Sequence, residues 1–110
     1  MDEPTYLRLA DVTFKRIEDA FRDIDPDDVD LERAGDVITL TFKSGKRCVV
    51  NTQRPTRQVW LAANSRGWHF AYDAGASKWV DDKGSGDELF TILGGVVKEH
   101  SGLDLEFAAA

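Results

Sequence analysis

Carboxylates are the one reactive group that this chain gathers in bulk. Residues 1–32 hold eleven acids and four bases, a net charge of −7, and the rest of the chain comes to +1. Eight of those acids fall between Glu18 and Glu32, with Arg22 the only base among them. Like charges at that density repel and work against a compact state, so folding alone gives no reason for them. Carboxylate oxygens ligate hard cations such as Mg²⁺, Ca²⁺, Mn²⁺ and Fe²⁺. The same charges can steer a basic protein surface, or form a solvated face that keeps the chain soluble. Glu18, Asp19, Asp23, Asp25, Asp27, Asp28 and Asp30 are the candidate metal ligands. Asp19 and Asp23 stand four residues apart, the spacing of one helix face. Lys15 and Arg22 stand four residues from Asp19 and Glu18 and blunt the charge. An open, convex, carboxylate-only site binds weakly, on the order of 10⁻⁵–10⁻³ M by comparison with the poorer calcium sites.

Other chemistries find no support. The chain has one cysteine and two histidines, His69 and His100, far apart in sequence, whereas soft metal sites need clustered ligands. No local motif suggests a Ser/His/Asp or Cys/His set, and no glycine loop could cradle a phosphate. Asp23-Ile24-Asp25-Pro26-Asp27 opens like a calcium loop but has Asp28 at the sixth position and Ala34 at the twelfth. An EF-hand needs Gly and Glu there. Cys48 lies in an apolar strand pattern and reads as a small core residue. A chain with one unpaired cysteine and the start Met1-Asp2-Glu3-Pro4, unlike a signal peptide, is expected in a reducing cytoplasm. The net charge of −6 argues against nucleic acid and anionic membrane as partners. No apolar run nears the roughly 18 residues of a membrane span.

A second constellation runs from Asn51 to Ala62. If Val59 and Leu61 face a core, alternation puts Gln58 and Trp60 on the opposite face. Asn51 and Gln53 lead into it, with Arg54 and Arg57 between. An exposed tryptophan among amides and arginines has the make-up of an interface hot spot. Burial, the commoner fate of tryptophan, is the competing expectation. Trp68 and Trp79 read as packing residues. His69 alternates out of phase with Trp68 and Phe70 and is expected at the surface.

The elements that must position these residues follow from periodicity. Tyr6, Ala10, Phe14, Ile17, Phe21 and Ile24 recur at steps of three and four. They predict an apolar helix face about five turns long. Pro26 ends that helix at or just before Asp25. The period then falls to two. Strands are expected over 29–32, 38–42, 47–51, 58–62, 68–72 and 78–80, with turns at Ala34-Gly35-Asp36, Ser44-Gly45 and Ser65-Arg66-Gly67. Ser85-Gly86-Asp87-Glu88 matches a capping box with Ser85 as N-cap. It introduces a second helix with Leu89, Ile92, Leu93, Val96, Val97 and His100 as its apolar stripe. Gly94 and Gly95 weaken that helix by roughly 1 kcal/mol each, and Gly102 ends it. Leu103, Leu105 and Phe107 form a short tail able to fold back on the helices. The expected fold is one α+β domain over residues 1–110. It is a two-layer sandwich, with two helices packed on one face of an antiparallel sheet of about six strands. The other face is left to solvent or a partner.

These pieces together resemble the frataxin family, its bacterial members above all. Tyr6-Leu7-Arg8-Leu9-Ala10-Asp11 through Ile17-Glu18-Asp19 is similar to the family's acidic first helix. Asn51-x-Gln53-x-Pro55-x-x-Gln58-Val59-Trp60-Leu61-Ala62 is similar to its most diagnostic motif. Gly67-Trp68-His69-Phe70, Lys78-Trp79-Val80 and Glu88-Leu89 continue the likeness over nearly the whole chain. The resemblance implies a frataxin-like sandwich that binds iron, Fe²⁺ or Fe³⁺, weakly and exchangeably on its acidic ridge. It implies docking to a cysteine desulfurase and an iron–sulfur scaffold protein, donating iron or regulating the rate of cluster assembly. Glu18, Asp19, Asp23 and Asp25 become implied metal contacts. Asn51, Gln53, Gln58 and Trp60 become implied partner contacts. Arg22 stands where family members often have a further acid, and Arg54 and Arg57 are additions to the partner surface. A monomer is expected, with iron-driven oligomerisation open. Two alternatives stand beside this reading: a metal-independent acidic module that regulates the desulfurase, and a ferroxidase or iron-storage protein.

Overall fold

Short turns join six strands, so each strand pairs with the next. The computed structural model describes residues 1–108; Ala109 and Ala110, the end of the terminal alanines, lie outside the described residues. The elements are α1 (Glu3–Ala20), β1 (Val29–Ala34), β2 (Val37–Phe42), β3 (Arg47–Gln53), a 3₁₀ turn (Arg54–Thr56), β4 (Gln58–Ala63), β5 (Arg66–Asp73), β6 (Lys78–Asp81) and α2 (Leu89–Ser101). The strands form one sheet in the order β1-β2-β3-β4-β5-β6, antiparallel throughout. Alternation sends Ile38, Leu40, Cys48, Val50, Val59, Leu61, Trp68, Phe70 and Trp79 to one face. There they share a buried cluster with Tyr6, Phe14 and Ile17 of α1 and Leu89, Leu93 and Val97 of α2. This is the expected α+β sandwich. Truncating a ring such as Phe14 in this cluster costs about 3–5 kcal/mol.

Polar contacts at the core also tie α1 to the sheet. Trp79 Nε1 donates to Thr13 Oγ1 at 2.8 Å inside the core, and Thr13 Oγ1 donates in turn to the Leu9 carbonyl at 2.8 Å. Tyr6 donates its hydroxyl to the Gln58 carbonyl at 2.7 Å. Asp2 caps α1 by accepting from Thr5 N at 2.9 Å. The tail folds back as expected. Leu103, Leu105 and Phe107 pack on the core cluster, Phe107 stacks on Phe90 at 4.6 Å, and Arg16 Nε donates to the Ala108 carbonyl at 2.7 Å. Among the described residues no helix is long and apolar enough to cross a membrane.

Three local expectations need correction. The first concerns the end of α1, which comes at Ala20 rather than near Asp25. Phe21 N donates to the Glu18 carbonyl at 3.1 Å, Arg22 N to Asp19 at 3.2 Å and Ile24 N to Phe21 at 3.1 Å. These i→i−3 bonds tighten the chain into turns while Phe21 and Ile24 keep their apolar spacing. Asp23 is therefore off the helix and shares no helix face with Asp19. The second concerns the β4–β5 turn, which is Asn64-Ser65, one residue earlier than expected. Both residues have positive φ, 55° and 60°, the pattern of a two-residue hairpin whose twist matches its strands. The third concerns the start of α2, where Glu88, not Ser85, is the N-cap and accepts from Phe90 N and Thr91 N at 2.7 and 3.2 Å. Glu88 is held extended by a bridge to Val80, which bars a helix from starting earlier. Ser85 instead donates to the Asp81 carboxylate at 2.9 Å.

Candidate functional sites: an acidic edge and an open sheet face

The acidic edge begins at the last turn of α1 and runs through the loop into β1. Glu18 accepts from Arg33 Nη1 at 2.6 Å, and Arg33 Nη2 lies 3.6 Å from Asp11. The Arg33 guanidinium also covers the Phe14 ring at 5.1 Å. Asp19 pairs with Arg22, three residues on. Lys15 pairs with Asp11 at 3.0 Å rather than with Asp19. That contact, helped by Arg33, holds the Asp11 carboxyl below its ordinary value. Asp25 serves the turn: its carboxylate accepts from Asp27 N at 2.9 Å, and its carbonyl accepts from Asp28 N and Val29 N at 2.9 and 3.1 Å. Asp23, Asp27, Asp28 and Asp30 have no ion pair among the described residues. Asp23, Asp27 and Asp28 are exposed and Asp30 is half-buried. Among the described residues no three His, Cys, Asp or Glu side chains converge on a point that could hold a metal ion. The seven candidate ligands thus share one edge but no common centre. The edge offers diffuse charge and no preformed cation site among the described residues.

Cys48 is fully buried, and burial pushes its thiol up to about 12. It has no thiolate to offer as nucleophile or ligand at neutral pH.

The open sheet face has a different character. Val37, Asn51, Trp60 and His69 lie opposite one another across β2, β3, β4 and β5. Trp60 is half-buried, out of the core as alternation predicts. Its ring stacks on His69 with centroids 4.1 Å apart and planes 15° from parallel. Trp60 Nε1 donates to Gln58 Oε1 at 2.8 Å, and Gln58 Nε2 donates to Asp82 Oδ2 at 2.9 Å. Asp82 Oδ2 also lies 3.9 Å from His69 Nδ1. Asn51 Nδ2 donates to the Thr52 carbonyl at 3.3 Å, and Gln53 pairs with Gln58 in the next row. All four expected partner contacts therefore share one face. Trp68 and Trp79 are 6 % and 2 % exposed, the packing residues expected. Beside the face, Arg54 and Arg57 reach back to Glu3 at 2.6 and 3.6 Å. The Arg54 hydrogen bond holds the Glu3 carboxyl below its ordinary value.

Two side chains escaped the sequence reading. Arg33 lies fifteen residues from Glu18, beyond any helical or strand spacing. Asp82 stands in the polar run Asp81-Asp82-Lys83-Gly84-Ser85-Gly86, which reads as a solvated loop.

Residues 1–103 match the family model of the frataxin-like domain. The iron–sulfur cluster assembly protein CyaY of Pseudomonas aeruginosa is 41% identical over 107 residues, 97% of this chain and 97% of that one. The protein of the same name from Azotobacter vinelandii is 40% identical over 107 residues, 97% of this chain and 96% of that one. Among solved structures, the frataxin of Psychromonas ingrahamii aligns with a TM-score of 0.87 at 34% identity, over 99% of this chain and 100% of that one. The trimeric frataxin of Saccharomyces cerevisiae, complexed with ferrous iron, aligns with a TM-score of 0.62 at 27% identity, over 94% of this chain and 88% of that one.

Proposed function

The chain belongs to the frataxin-like family, and we propose that it serves iron–sulfur cluster assembly as a non-catalytic, iron-binding adaptor. Iron is its cargo. The acidic edge takes up Fe²⁺ at Asp23, Asp27, Asp28 and Asp30, whose carboxylates pair with no cation among the described residues. Glu18, Asp19 and Asp25 add charge while engaged with Arg33, Arg22 and the Asp27 amide. Few protein ligands per ion mean fast exchange, which suits delivery. The sheet face docks on the cysteine desulfurase and its scaffold protein. Trp60 is the anchor there, with Asn51, Gln53 and Gln58 supplying polar contacts around it.

The single observation that carries this reading is the separation of the two surfaces. Uncompensated carboxylates occupy the β1 edge, and an ordered aromatic–amide cluster occupies the open face of β3, β4 and β5. Ferroxidase or storage chemistry needs fixed, convergent ligands, and the acids converge nowhere among the described residues. One observation favours a second reading, in which the protein regulates the desulfurase without metal. The same absence of a convergent site leaves charge itself, which steers a basic surface with no ion between.

The test is an anaerobic Fe²⁺ titration of ¹⁵N-labelled protein. Signal loss confined to residues around Asp23–Asp30 is the expected result. Uniform or absent change at millimolar iron would leave the metal-independent reading in its place.

A further inference from the structure

We infer that Asp82 is a positioning residue for the open face, fixing the Trp60 indole through Gln58. The polarity of the hydrogen-bond chain leads to this assignment. An ionised carboxylate only accepts, and an indole N–H only donates. Gln58 stands between them, with Nε2 2.9 Å from Asp82 Oδ2 and Oε1 2.8 Å from Trp60 Nε1. Turning the amide over would set two donors face to face at the indole and two acceptors face to face at the carboxylate. Only one orientation of Gln58 satisfies both neighbours, and Asp82 selects it.

Asp82 is itself held in place. Its N–H donates to the His69 carbonyl at 2.9 Å, which keeps the chain on β5 one residue past the end of β6. His69 is also the residue on which Trp60 stacks. The four residues thus close a ring: Asp82 to Gln58 and Gln58 to Trp60 by side-chain hydrogen bonds, Trp60 over His69 by ring stacking, and the Asp82 N–H back to the His69 carbonyl through the backbone. A docking side chain fixed before contact loses less conformational freedom on binding. The consequence for docking rests on the role proposed for Trp60 above; the positioning of the indole does not.

Two variants and two readouts test this. Asp82→Ala removes the acceptor, and Asp82→Asn restores one through its amide oxygen. Hydrogen exchange of the Trp60 Nε1–H, followed by NMR, should be about tenfold faster in Asp82→Ala and within about twofold of the parent in Asp82→Asn. Affinity for the cysteine desulfurase–scaffold complex, by calorimetry, should fall about fivefold in Asp82→Ala and recover in Asp82→Asn. Gln58→Leu cuts the chain of bonds without touching the loop and should raise the exchange rate as much, which covers the case of a loop disturbed by Asp82→Ala. Unchanged indole exchange in both Asp82→Ala and Gln58→Leu would overturn the inference. Trp60→Ala separates the two claims. If it leaves docking intact, the docking role fails while the exchange result still decides the positioning role.

Discussion

The acidic edge and the open sheet face are built on opposite plans. The edge has many charged residues and few contacts between them. Asp23, Asp27, Asp28 and Asp30 meet no partner among the described residues, and no three ligands converge. The face has few polar residues and nearly all are interlocked, with Trp60, Gln58, Asp82 and His69 joined by three hydrogen bonds and a ring stack. A loose array of carboxylates suits an ion that must be given up. A fixed aromatic in a hydrogen-bonded frame suits a surface that must fit one partner. The difference teaches that charge density and preorganisation are separate resources, placed here on separate elements.

The largest expected effect falls on the ordered surface. Trp60→Ala should weaken docking to the desulfurase–scaffold complex by about 30-fold, the loss of roughly 2 kcal/mol typical of a hot-spot aromatic, while Fe²⁺ affinity stays within twofold. Equal losses in both would mean that the two surfaces are one.

Arg33 probes the edge. Arg33→Ala frees Glu18 and Asp11 from a guanidinium that also covers Phe14. Urea denaturation should show a loss of about 1 kcal/mol, in keeping with exposed ion pairs plus one ring contact. Divalent-ion affinity should rise about twofold as Glu18 is released, Asp11 staying with Lys15. A fall in affinity would make Arg33 part of the ion site.

Salt gives a smaller effect. Raising NaCl from about 0.05 to about 0.5 M should lift the melting temperature by about 2 °C through screening of the edge. The gain should shrink most in Asp27→Lys/Asp28→Lys. It should shrink less in Glu18→Lys/Asp19→Lys, where cations already stand on both acids. The reverse order would place the stored repulsion at the end of α1.

Acid gives the smallest. The Glu3 carboxyl is held below its ordinary value of 4.5 by the Arg54 hydrogen bond. Its stabilisation is therefore complete above that value and lost as pH falls through the lower, folded one. Melting curves from about pH 6 to pH 3 should fall slightly less steeply in Glu3→Gln than in the parent. Parallel curves would show that the contact between Glu3 and Arg54 adds nothing to the fold.

Periodicity made the sandwich legible, because a buried face repeats wherever an element touches the core. Phe14 with Ile17, Ile38 with Leu40 and Leu93 with Val97 each mark such a face. Trp60 was legible for the same reason, standing out of phase with Val59 and Leu61. Element ends were less so. Phe21 and Ile24 keep helical spacing after the helix has stopped, and the β4–β5 turn carries Asn64-Ser65 without the glycine that marks such turns. Ser85 to Glu88 satisfies a capping pattern that a tertiary bridge from Val80 overrides. Within the candidate sites, the carboxylates announced themselves by number. Arg33 and Asp82 did not, since each acts on residues that only the sheet brings near. Composition reveals what a surface is made of, and long-range pairing decides what it can hold still.

The most direct test of the two-surface account measures Fe²⁺ affinity and desulfurase–scaffold docking side by side, anaerobically, in the parent, Trp60→Ala and Asp27→Lys/Asp28→Lys. The account predicts that the losses separate: docking falls with Trp60, and iron binding falls with Asp27 and Asp28, while iron-free docking of the reversed protein stays within a few-fold of the parent. Iron binding unchanged in the reversed protein, together with iron-free docking abolished, would contradict it and make the acidic edge a protein-binding surface with no part in carrying metal.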